Sequence, residues 1–252
     1  MDLVSLLPAD FTLLAFALSF ALILVAAFVR AFSGFGFALL AVPGLVMLME
    51  PIQAVPICLL LQLGAGLGMV PSTWKQMDFS SLRLLLPGGL LLTPVGALLL
   101  AVIDPTALKL LICAIVMIIA LLLWRGFALK KRPGPVGSFA AGASAGLLGG
   151  LAAIPGPPVV LFYLSAPGDH RTSRASLNGF FLAINLLAVL TLLLKDAFDM
   201  HVLVWSLLLA PAMLIGTLLG HHGFNRADAG LFRRIAVGLL FVTGAIGFAT
   251  AL

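Results

Sequence analysis

The sequence predicts an all-α fold: a polytopic transmembrane helical protein built as two inverted repeats of about five elements each, with two short or broken helices. Three observations carry this expectation. Apolar residues make up 62% of the 252 and charged ones only 9%, against roughly half and a quarter in soluble domains. The apolar residues run in continuous blocks instead of alternating with polar ones, as the strands of a membrane barrel would. The basic residues lie between those blocks, where they orient a membrane protein, and form no stripe of the kind a nucleic-acid binder needs.

Taken in order, the blocks fall at 11–29, 34–49, 52–70, 84–103, 107–124, 136–152, 155–166, 176–194, 202–220 and 233–251. The first reads as a retained span, because Met1-Asp2-Leu3 offers no positive leader region and no cleavage signature follows. The second is short and carries Pro43-Gly44; the seventh is short and is headed by Pro155-Gly156-Pro157-Pro158. Each is either a broken crossing helix or a re-entrant segment. The third and fourth are ordinary spans. The fifth opens on Asp104-Pro105, an N-cap followed by proline in the first turn. The remaining blocks are long enough, or nearly so, to cross. Cys58 and Cys113 fall inside apolar blocks, too few for a disulfide framework or a metal cluster, so no metal and no cofactor is expected.

Charge decides between the two layouts. If all ten elements cross with the N-terminus outside, the inside connections hold Arg30, Lys75, Arg83, Arg125, Lys130, Lys131, Arg132, Arg171, Arg174, Arg226, Arg233 and Arg234, leaving Lys109 and Lys195 outside. If the two short elements are re-entrant, the same 14 residues split evenly. The positive-inside rule selects ten crossings, with both termini periplasmic.

The halves resemble each other. Residues 33–44 align with 145–156, matching Pro43-Gly44 to Pro155-Gly156. Further on, Pro87 meets Pro211, Gly96 meets Gly220, Asp104 meets Asp228 and Lys109 meets Arg233, at an offset larger by twelve that an insertion around 165–176 would explain. The division is repeat 1 at 1–125, a cytoplasmic basic loop at 126–135 and repeat 2 at 136–252. An odd number of elements per half inverts the second copy, a construction many secondary transporters use.

The glycine-rich stretches ending in Pro, 34–43 and 146–155, resemble those of the TauE/SafE family of sulfite and organosulfonate permeases. The resemblance covers nearly the whole chain. This sequence departs from the usual pattern at Phe37 and Ala38 in the first copy and at Ala152 and Ala153 in the second. The resemblance implies transport of a small anion, classically an oxidised sulfur species, outward across a bacterial inner membrane. The expected partners are that anion and the lipid bilayer, not nucleic acid, with a homo-oligomer left open.

The candidate substrate-binding residues are Arg30, Ser33, Gly34, Gly36, Pro43, Gln62, Gly149, Gly150, Pro155, Gly156, Arg174, Asn178 and Asn185. A break in a membrane helix frees N–H groups and a partial positive charge, which suit an anion, and paired breaks in inverted halves point to a midplane site. The alternative is close helix packing through small residues. Arg30 is either an orienting anchor or a buried cation whose partner is the substrate. Arg171, Arg174, Asn178 and Asn185 share one helical face, either a pathway lining or an anchor plus interhelical hydrogen bonds. Gln62 falls within one residue of the position equivalent to Asn185.

No Asp or Glu lies mid-span, so a carboxylate relay is missing, and His170, His201, His221 and His222 lie in connections. Ser33 invites an intramembrane hydrolase, yet no His or Lys shares the membrane with it as a base, and arginine cannot accept a proton. No catalytic residue is assigned. A membrane assembly subunit without transport is the third alternative.

Overall fold

The computed structural model describes residues 12–125, 133–165, 169–195 and 197–223, with Gly238 alone beyond them. The tenth expected element, the 130–132 loop and both termini lie outside the described residues. What is described is helical: α1 Leu13–Ser33, α2 Phe37–Leu45, α3 Pro51–Thr73 with a 3-10 turn Trp74–Gln76, α4 Phe79–Val102, α5 Pro105–Trp124, α6 Pro135–Ala152, α7 Gly156–Leu164, α8 His170–Leu193 and α9 Met200–Gly223. Seven of these are long and apolar enough to cross a membrane. Large apolar side chains such as Leu91, Leu207 and Leu218 stand exposed on the outside, as lipid contact requires and water would not tolerate in such number. The chain is a multi-pass membrane protein.

Aspartate punctuates the helices. Asp104 Oδ1 accepts from the backbone N–H groups of Thr106 and Ala107, both at 3.0 Å. Asp78, Asp169 and Asp199 cap α4, α8 and α9 in the same way. Each satisfies a donor that the first turn leaves orphaned. Every described aspartate is therefore spent at a helix end, and none reaches the interior.

Two helix pairs dominate the packing. Gly88 and Gly96 of α4 lie against the carbonyls of Phe139 and Leu147, while Gly142, Gly146 and Gly150 of α6 lie against those of Leu85, Gly89 and Thr93. The two helices run in the same direction with backbones touching, because each places a glycine where the other's backbone comes closest. α1 and α9 repeat the arrangement: Gly216 meets the carbonyl of Leu24 and Gly220 that of Phe28. Exchanging α1–α4 with α6–α9 converts one pair into the other.

Helix ends fix the directions. The C-terminal ends of α1, α3 and α9 and the N-terminal end of α8 share one vestibule. Asp78 N–H donates to Ser176 Oγ at 2.8 Å, holding the start of α4 at that end. The Ser81 and Tyr163 hydroxyls, 2.7 Å apart, bring the end of α7 there too. Since α1 and α3 both finish at this end, α2 must return the chain between them; α7 does the same between α6 and α8. α6 thus opposes α1, α8 opposes α3 and α9 opposes α4, which is an inverted repeat. Arg30, Lys75, Arg83, Arg171 and Arg174 gather at the vestibule end, and Lys109 and Lys195 at the other.

The register of the repeat differs from the one expected. Phe37 and Gly156 begin α2 and α7, Leu45 and Leu164 end them, and Pro51 and His170 begin the next helices, always 119 residues apart. From the end of α1 to the start of α3 no insertion is needed; α4 and α9 begin 121 residues apart, at Phe79 and Met200, and Gly96 and Gly220 take equivalent places against the carbonyls of Leu147 and Phe28, as their sequence pairing expected. Aligning Pro43 with Pro155 fails because Pro43 lies inside α2 whereas Pro155 is the N-cap of α7.

Candidate substrate site

Each half contains one break. α1 ends at Gly34, whose φ of 81° is left-handed, and Gly36 at φ 96° starts α2; glycine adopts such angles on either side of Phe35 without the steric cost a Cβ would bring. α6 ends differently. Ala153 takes the left-handed conformation at φ 55°, which strains a residue with a Cβ by about 1–2 kcal/mol. Two hydrogen bonds hold it. Ala153 N–H donates to Gly149 O at 2.9 Å, and Ala153 O accepts from Gln62 Nε2 of α3 at 3.1 Å.

The breaks face each other across a cavity of about 20 Å³, room for about one water. Gly36, Phe37, Ala38 and Leu39 bring the N-cap and first turn of α2; Pro155 and Gly156 bring those of α7. Gln62, Arg30, Phe35 and Phe181 close the sides. Arg30 also lines a vestibule of about 310 Å³ with Gly34, Arg171, Arg174 and Asn178. Exposed Ser72, Gln76 and Arg171 mark the rim of this second space. The guanidinium therefore stands between entrance and cavity.

Arg30 is only 9% exposed. Among the described residues no carboxylate or carbonyl hydrogen-bonds its guanidinium. Arg174, one layer outward, donates from Nη2 to Ala31 O at 2.9 Å and lies over Gly34. Asn178 donates to Gly66 O at 3.3 Å and leaves its own buried Oδ1 without a partner.

A family model described as "Sulfite exporter TauE/SafE" matches residues 19–246. The chain belongs to the sulfite exporter TauE/SafE family. It is also 25% identical, over 183 residues covering 70% of each chain, to a protein of Cupriavidus necator (strain ATCC 17699 / DSM 428 / KCTC 22496 / NCIMB 10442 / H16 / Stanier 337) named "Probable sulfite/organosulfonate exporter TauE". No solved structure matches. Membership of this family makes the chain a membrane transporter.

Within this family member the expected residues divide. Arg30, Gly36, Gln62, Pro155 and Gly156 meet at the cavity; Gly34, Arg174 and Asn178 line the vestibule. Pro43 is buried within α2 and lines neither space. Gly150 belongs to the α4–α6 seam, and Gly149 is packed beneath Ile184 and Pro155. Asn185 is buried one turn beyond Phe181, away from both spaces, with its Oδ1 unpartnered. The side chain of Ser33 is outside the description. Gln62 pairs with Phe181 under the 119-residue step, not with Asn185, so an amide on one wall faces a phenyl ring on the other. Sequence reasoning missed Phe35, Phe181 and Ala153. The first two were reachable from the correct repeat register; a left-handed alanine leaves no trace in sequence.

Proposed function

We propose that the protein carries a small sulfur anion, sulfite or an organosulfonate, outward across a bacterial inner membrane, by alternately opening the break cavity to either side. The vestibule end with its arginines is cytoplasmic, as the 126–135 loop is, and both termini are periplasmic. Residues 1–125 and 136–252 are the two repeats. The anion rests against the first turns of α2 and α7 with Arg30 as its cation and Gln62 beside it; Arg174 and Asn178 line the approach.

One observation carries this reading: a buried guanidinium without a described partner stands where two helix N-termini converge. An anchor would place its charge at the lipid headgroups, where it is solvated. An unpaired charge inside the protein is costly unless something compensates it, and an oxyanion does so through charge-assisted hydrogen bonds. The organisation also suits an exchange of halves, since each supplies one break. Proteoliposomes loaded with labelled sulfite test it directly. Efflux should exceed that from empty liposomes and be lost in Arg30→Gln, and efflux unchanged by that substitution would overturn the assignment.

A further inference from the structure

The arrangement of charge around the cavity speaks to the valence of the anion, and the argument rests on the transport reading just given. Each break contributes two helix ends. α2 and α7 present N-termini, worth roughly half a positive charge apiece, while α1 and α6 end beside them with C-termini worth roughly half a negative charge apiece. To first order these cancel. α7 is further weakened as an anion holder, because Pro157 and Pro158 remove two of the N–H groups its first turn would offer. What remains is the single full charge of Arg30. Among the described residues no Asp, Glu, His or Lys lines the cavity or the vestibule, and Arg171 and Arg174 belong to the wetter vestibule, where water screens them.

We infer that the site selects monoanions over dianions: hydrogensulfite, not sulfite, is the transported form of the sulfur(IV) pair, and sulfate is excluded by charge although its oxygens match. Arg30 neutralises one negative charge; a second would enter a buried space with nothing to balance it. The walls agree with this. Gln62 offers amide chemistry on one side, while Phe35 and Phe181 offer none on the other, so a fully surrounded tetrahedral dianion finds too few donors.

The test uses the full-length protein in liposomes with three probes: methanesulfonate, monoanionic at every working pH; sulfate, dianionic at every working pH; and sulfite, which passes from monoanion to dianion near neutrality. Methanesulfonate should compete with sulfite transport at least tenfold better than sulfate at equal ionic strength. Sulfite flux at fixed total concentration should fall about tenfold per pH unit above neutrality while methanesulfonate flux stays flat. Because no titratable carboxylate or imidazole lines the described pathway, the slope belongs to the anion. Gln62→Lys adds a second charge and should raise sulfate competition relative to methanesulfonate; if that variant does not insert, the wild-type pH profile alone decides. Sulfate competing as well as methanesulfonate, or sulfite flux indifferent to pH, overturns the valence rule while leaving transport standing. No flux of any probe would overturn both.

Discussion

Gln62 sits halfway along α3, where a leucine would be easier to place in a membrane. Its Nε2 donates across to the carbonyl of Ala153, the strained residue that ends α6. The amide is thus a positioning group for the second break as well as part of the cavity wall. Gln62→Leu should remove that bond and lower stability by about 0.6–2 kcal/mol, the range for interhelical polar contacts in membranes. Thermal unfolding in detergent, read beside transport, would detect it. A Gln62→Glu variant separates the roles: its carboxylate beside Arg30 would compensate the guanidinium internally and should suppress anion flux while preserving folded abundance.

At the scale of elements, glycine serves two purposes that look alike in sequence. Gly34 and Gly36 are required by their positive φ angles, whereas Gly142, Gly146 and Gly150 let α6 lie directly on α4. A leucine at 146 would push into the carbonyl of Gly89, forcing the helices apart. Gly146→Leu should therefore reduce folded protein in the membrane several-fold, consistent with an overpacking cost of about 1–3 kcal/mol. Gly68→Ala, whose new methyl meets open space, should be silent in the same quantitative blot.

Much of the element order was legible because span length, proline position and aspartate caps are local signals. Asp104 capping α5 and the Pro155-Gly156 start of α7 are examples. Residue identity misled where it stood in for geometry: Pro43 and Pro155 share a dipeptide but occupy different positions in their helices, which shifted the register across the breaks, while carrying the Pro87–Pro211 spacing back into α3 set Gln62 beside Asn185. The cluster around Arg30 was half-visible, since burial of a charge depends on helices that meet only in three dimensions.

For the whole molecule, the inverted repeat ties topology to mechanism. With Cys58 and Cys113 replaced, an impermeant thiol reagent applied from the periplasm should label Thr106→Cys, beside Lys109, and miss Gln76→Cys at the vestibule rim. The reverse pattern would invert the orientation. Stepping the vestibule residues by 119 names the surface that must open on the other side: Thr73 becomes Leu192, Met69 becomes Ala188, Arg174 becomes Val55 and Asn178 becomes Leu59. All four of these counterparts are fully buried in this structure, so an alternating carrier should show slow periplasmic labelling of Leu192→Cys. The vestibule arginines have no charged counterparts there, since Arg171 steps to Ile52 and Arg174 to Val55. The anion would therefore be held more tightly from the cytoplasmic side than from the periplasmic one. Such asymmetry changes the affinity on each face without changing the equilibrium gradient.

The proposed transport turns on whether Arg30 is the cation that receives the substrate. Titration calorimetry of the purified protein with sulfite, comparing the native chain with Arg30→Gln, addresses this most directly. Losing a charge-assisted contact should weaken binding by about 1.5–3 kcal/mol, roughly 10- to 150-fold, while thermal stability without ligand should not fall, because an uncompensated buried charge has been removed. Unchanged sulfite affinity in Arg30→Gln would contradict the account, and the site would have to be sought away from the two breaks.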